Sequence, residues 1–93
     1  MDTPTTFEWD DAKAQANIAK HGVSFPYAAR VFLDMSIVRL PTVRAEDGED
    51  RLKAIGEIEG RLFAVVYVMR GAVCRMISAR RTNATEDRAY GNH

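Results

Sequence analysis

Residues 51–81 contain three runs of β-type sequence separated by two glycine turns, and this arrangement leaves little freedom of topology. The middle run, Leu62-Phe63-Ala64-Val65-Val66-Tyr67-Val68-Met69, is apolar on both faces, the pattern of a central strand. Arg51–Ile58 precedes it across Glu59-Gly60, and Ala72–Arg80 follows it across Arg70-Gly71. Two-residue turns containing Gly join neighbouring antiparallel strands. The segment is therefore expected to form a three-stranded antiparallel meander. Ile37–Leu40 adds a fourth strand, stopped by Pro41, which cannot donate to a ladder.

The last strand concentrates the chemistry. Arg70, Arg75 and Arg80 recur every fifth residue, and Arg81 follows. With period-2 alternation, Arg75, Ile77 and Ala79 share one face while Met76, Ser78 and Arg80 share the other. Guanidinium groups on such a platform stay charged and present forked donors suited to phosphate. Solvated arginines on an ordinary strand are the plainer reading.

The first half reads as helical. Residues 1–6 are expected to be a flexible tail, with one domain over 7–93. Phe7-Glu8-Trp9 is short and extended and offers an edge strand. Asp10 is placed to cap a helix running to about Lys20, and Gly22 to stop it in a left-handed conformation. Trp9, Ala12, Ala16 and Ala19 form its narrow apolar stripe, with Ile18 beside it. Ser24 caps a second helix to about Leu33, with Pro26 tolerated in its first turn. Asn83-Ala84-Thr85-Glu86 matches a capping box that opens a short terminal helix to about Tyr90. The expected class is α+β: two N-terminal helices, a four-stranded antiparallel sheet and a short C-terminal helix.

Charge narrows the partners. Net charge is zero, but residues 1–50 carry five Lys/Arg against nine Asp/Glu (−4) and residues 51–93 carry eight against four (+4). A chain divided in this way can turn a basic face to a polyanion, although interleaving of the halves can cancel the division. The one cysteine, Cys74, lies in an apolar strand and reads as a buried structural thiol, consistent with a reducing cytoplasm. The N-terminus lacks the basic-then-apolar order of a signal peptide, and Leu62–Met69 is too short to span a bilayer, so no membrane role is expected. Glu46–Asp50 is an acidic loop without calcium-loop spacing, so neither a metal nor another cofactor is expected.

Two groups of residues carry a family resemblance. The first is Phe7-Glu8-Trp9-Asp10, Lys13-Ala14, Asn17, Lys20-His21-Gly22-Val23-Ser24-Phe25, Ala28-Ala29, Val31-Phe32 and Asp34. The second is Glu49-Asp50-Arg51, Ile55-Gly56, Val65-Val66-Tyr67, Arg70-Gly71, Arg75, Ile77-Ser78-Ala79-Arg80-Arg81, Glu86, Arg88 and Tyr90. Together they resemble the BrnT family across residues 7–90. The resemblance implies a RelE-like fold and a bacterial ribonuclease toxin of a type II toxin–antitoxin system that inhibits translation. It implies a BrnA-type antitoxin as partner in a heterotetramer, with operator DNA bound only through that antitoxin. Residues 82–85 depart from the family in being less basic than expected.

Cleaving RNA without a metal requires a base for the 2′-hydroxyl, an acid for the leaving 5′-oxygen, and positive charge at the phosphorus. His21, at a helix C-terminus, can serve as acid or phosphate donor, or simply cap the last carbonyls. Lys20 is a catalytic candidate by fold-level analogy with small RelE-like nucleases, in which Lys and Arg often take the part of histidine, or a solvated helix end. Arg80 and Arg70 complete the catalytic candidates. Arg51, Arg75 and Arg81 are candidate RNA contacts, with Arg75 alternatively paired to Glu57 or Glu86. Tyr90 is exposed enough to stack on a base, whereas Tyr67 and Trp9 read as core. The expected activity is metal-independent endoribonuclease. The rival reading is a catalytically silent RelE-like module that only binds a protein partner.

Overall fold

The computed structural model describes residues 3–42 and 50–91. In chain order they form β1 (Thr6–Glu8), α1 (Asp11–His21), α2 (Phe25–Ala28), a 3-10 helix (Ala29–Leu33), β2 (Val38–Pro41), β3 (Leu52–Ile58), β4 (Arg61–Arg70), β5 (Val73–Arg81) and α3 (Ala84–Gly91). The α+β class holds, but the sheet differs from expectation. It has five strands in the order β1-β5-β4-β3-β2 and is mixed, because β1 runs parallel to β5. Thr6, assigned to the tail by sequence, pairs with Val73 in that edge strand. The acidic loop at 46–49 lies outside the described residues.

Local chemistry sets the helix ends. The Asp10 carboxylate accepts from the Ala12 and Lys13 amides at 2.8 and 3.2 Å, and Gly22, at φ 70°, donates to the Ile18 carbonyl. The second predicted helix divides after one turn. α2, capped by Ser24 Oγ, tightens into the 3-10 helix at Ala29. Close packing accompanies this tightening: a Cβ added at Gly56 of β3 would stand 2.8 Å from both Cβ and the carbonyl oxygen of Val31.

The β3–β4 turn has positive φ at Glu59 and Gly60, as a tight hairpin requires. The β4–β5 turn falls one residue later than the sequence suggests, on Gly71-Ala72, since Arg70 pairs with Val73.

The meander packs α1, α2 and the 3-10 helix against one sheet face. Phe25, Ala28, Val31 and Phe32 meet Ala54, Phe63, Val65, Tyr67, Cys74 and Met76 there, all buried. α3 lies over the opposite face, where Glu86 meets Lys53 and Arg80. Ile55, of the same parity as Lys53, is fully buried.

The alternation predicted for β5 fails at one point. Tyr67 pairs with Met76 and Val66 with Ser78, leaving Ile77 as an extra residue. This bulge reverses the parity. Cys74, Met76 and Ala79 face the core together, whereas Arg75, Ser78 and Arg80 share the α3 side.

The stripe predicted for α1 is also displaced. Ala12, Ala16 and Ala19 are exposed, and the buried residue is Asn17. Its amide donates to the Ala79 carbonyl (2.8 Å) and the Val23 carbonyl (2.9 Å) and accepts the Ala79 N–H (3.0 Å). β1 covers β5 only over residues 73–75, so the Asn17 amide completes the open edge of β5 as a neighbouring peptide would.

Candidate functional site

The eight candidate residues separate into groups. His21, Lys20 and Arg81 gather where the end of α1 meets the end of β5. His21 borders two depressions at once. The larger, about 540 Å³, is walled by Ile18, Ser24, Tyr27, Arg61, Phe63 and Arg81. The smaller, about 210 Å³, is walled by Lys13, Asn17, Lys20, Ile77 and Ser78. Capping by Gly22 fixes this position for His21, and the Asn17 staple presses α1 onto the bulged edge, where Ile77 and Ser78 are half-buried. Four cationic side chains line the two depressions, and among the described residues no carboxylate does. A phosphodiester fits such a lining, since the cations need not break an existing pair to reach it.

The larger depression has defined walls. Tyr27 and Phe63 meet edge to face at 5.7 Å. The Arg81 guanidinium lies 5.5 Å over the Phe63 ring while its Nε donates to the Leu62 carbonyl. The Tyr27 hydroxyl donates to Glu59 at 2.6 Å, which raises the phenol pKa above its ordinary value. Arg30 also reaches Glu59, at 3.7 Å.

Arg80 and Arg75 occupy the other side of the sheet. Arg80 donates through both terminal nitrogens to the Glu86 carboxylate, each at 2.8 Å, and Lys53 Nζ meets the same carboxylate at 2.8 Å. The Asn83 amide donates to Glu86 Oε1 and the Glu86 amide to Asn83 Oδ1, so the predicted capping box is formed. Glu86 is 2% exposed. Burial alone would raise its pKa, but the Arg80, Lys53 and Asn83 donors outweigh burial and hold the carboxyl at about 2. It is anionic near neutrality and cannot take up a proton there. Arg75 pairs with Glu8 at 3.1 Å across the β1–β5 ladder, not with Glu57 or Glu86.

The remaining candidates lie elsewhere. Arg70 is at the hairpin end of β4, roughly 23 Å along the strand from Phe63, the residue opposite Arg81. Arg51 immediately precedes β3, on the strand end opposite Tyr67. Tyr90 donates to Asp34 Oδ2 at 2.7 Å, and this bond raises its pKa to about 12. The same Asp34 oxygen accepts the Glu57 amide, so the tyrosine ties α3 to the end of β3 and is not presented as a free stacking ring.

Sequence reasoning missed Lys13, Arg61, Tyr27 and Ser78 as neighbours of His21. Lys13 and Lys20 are seven residues apart, two helical turns, and this spacing was readable. Arg61 and Tyr27 arrive only through tertiary packing. Among the described residues, no cluster of three or more His, Cys, Asp or Glu could hold a metal ion. No helix of the described residues is long and apolar enough to cross a membrane.

A family model described as ribonuclease toxin BrnT of type II toxin–antitoxin systems matches residues 9–86. The chain belongs to the BrnT toxin family. The match runs from Trp9, which packs edge-on against Phe25, to Glu86 at the centre of the ion cluster, and so takes in every candidate residue but Tyr90. No curated protein matches the chain.

Proposed function

We propose that this BrnT-family protein is a RelE-like, metal-independent endoribonuclease that cleaves RNA beside His21, arrests translation and is neutralised by a BrnA-type antitoxin in a heterotetramer. Operator DNA is bound only through that antitoxin, and the setting is the bacterial cytoplasm. The observation that carries the reading is the junction of two cation-lined depressions, without a carboxylate among the described residues, at the one imidazole of those residues. His21 sits in the last turn of α1. There it protonates the 5′-oxygen as its bond to phosphorus breaks, the attacking 2′-hydroxyl gives its proton to solvent water as it bonds phosphorus, and Lys20 and Lys13 stabilise the charge that develops there.

One specific observation favours a second location. Lys53, Ser78, Arg75 and Arg80 share the α3 face of the sheet, and Glu86 and Glu8 hold the cations in fixed positions. Fixed cations are what preorganised stabilisation of a phosphorane requires.

The deciding experiment is cleavage of single-stranded RNA in EDTA by wild type, His21→Ala and Lys53→Met. Cleavage that survives EDTA and falls at least about 100-fold in His21→Ala, with Lys53→Met near wild type, supports the His21 centre. The reverse pattern moves the reaction to the α3 face. A wild type that neither cleaves RNA nor arrests growth is the silent binding module instead.

A further inference from the structure

We propose that the larger depression beside His21 is a base-stacking subsite for single-stranded RNA, with the base lying on the outer face of the Arg81 guanidinium and Arg61 on an adjoining phosphate. This rests on the reading of the chain as an RNA-acting protein, but not on which group performs the cleavage.

The geometry of Arg81 is the starting point. One face packs over Phe63 at 5.5 Å, its Nε is held by the Leu62 carbonyl, and the residue as a whole is exposed. A guanidinium fixed in this way is a flat, charged shelf. Unpaired bases stack on arginine planes and aromatic rings without regard to base identity. The Tyr27–Phe63 pair and Ile18 supply an apolar flank, and Arg61 lies on the same rim. Among the described residues, no Phe, Tyr or Trp lines the smaller depression. Its Lys13, Lys20 and Ser78 suit backbone phosphate and ribose. His21 stands between the two.

Size and shape select the strand form. A cleft that receives a base must draw it from an unstacked chain, so a duplex cannot use the shelf. Duplex RNA would meet only the outer charges.

The test is fluorescence anisotropy with a ten-nucleotide 2′-O-methyl RNA, which lacks the attacking hydroxyl, and with the same strand in a duplex. The single strand is expected to bind at least about tenfold tighter than the duplex, the scale of one base stack. Arg81→Lys keeps the charge and removes the plane. It should cost about tenfold on the single strand and nothing on the duplex, with the salt slope unchanged. Arg61→Ala should weaken single-strand binding and lower its salt slope by about 0.7. Ile18→Glu, at an exposed helix position, places a like charge in the cleft without touching the core and should also weaken the single strand. Equal affinity for strand and duplex, or an Arg81→Lys protein that binds the single strand like wild type, overturns the subsite. Binding as expected with no cleavage of unmodified RNA overturns only the ribonuclease reading. A wild type that binds neither RNA overturns both.

Discussion

Glu86 and Arg80 show how a residue that looks functional in sequence becomes committed to structure. Glu86 is almost fully buried yet accepts from Arg80, Lys53 and its own cap, and its carboxyl is held down at about 2, against about 4.5 ordinarily. A depressed folded-state pKa stabilises above the unfolded value, and that stability is lost as pH falls through the folded value. The gain is therefore complete above about pH 5 and drains away toward pH 2, on the order of 3 kcal/mol. Urea unfolding of wild type and Glu86→Gln checks this. The gap between them should be widest at pH 6–7 and close between pH 4.5 and 2, and a gap independent of pH would refute it. For the same reason, loss of activity in Arg80→Ala must be read beside its stability, because that change leaves a buried carboxylate with Lys53 as its remaining cation.

At the scale of elements, what was legible followed local rules and what was not depended on distant neighbours. Asp10, Gly22, Ser24 and Asn83 announced their caps, since a cap is settled within four residues. The meander was readable because its strands adjoin in sequence. β1 is parallel to β5 and separated from it by more than sixty residues, so its pairing was visible only as an extended Phe7-Glu8-Trp9. The bulge at Ile77 was hidden as well. It requires no glycine here, and the period-2 reading kept Ser78 and Arg80 together but placed Met76 with them and Ala79 with Arg75. Asn17 was hidden because a polar residue in a helix reads as solvent-facing until the open β5 edge comes into view. Asn17→Ala strips partners from the Ala79 N–H and C=O and from the Val23 carbonyl. Two or more buried groups left unsatisfied should cost about 3 kcal/mol. The measurement is the urea midpoint together with amide exchange at Ala79, which should accelerate with it. A variant as stable as wild type would mean that water replaces the staple.

At the scale of the whole molecule, the opposite charges of the two halves do not produce one acidic and one basic side among the described residues. Glu8 pairs with Arg75, and Arg80 and Lys53 share Glu86, so much of the basic second half is neutralised internally. The cations that remain over the two depressions come from both halves, Lys13 and Lys20 from the first, Arg61 and Arg81 from the second. This is why sequence could nominate His21, Lys20 and Arg81 singly but could not assemble them. The same interleaving makes the fold depend on β5, which joins β1, β4 and α1. Cys74 reports on that joint. It is fully buried in the core, beside Phe7 of β1, and burial pushes its thiol up to about 11. At pH 8 only about one thiol in a thousand would be ionised even if a reagent reached it. Labelling by a disulfide reagent should therefore require opening of the sheet, and its rate should rise with urea as steeply as global unfolding does. A rate insensitive to urea would show instead that the three-residue β1 detaches alone, leaving the β3–β4–β5 meander folded beneath it.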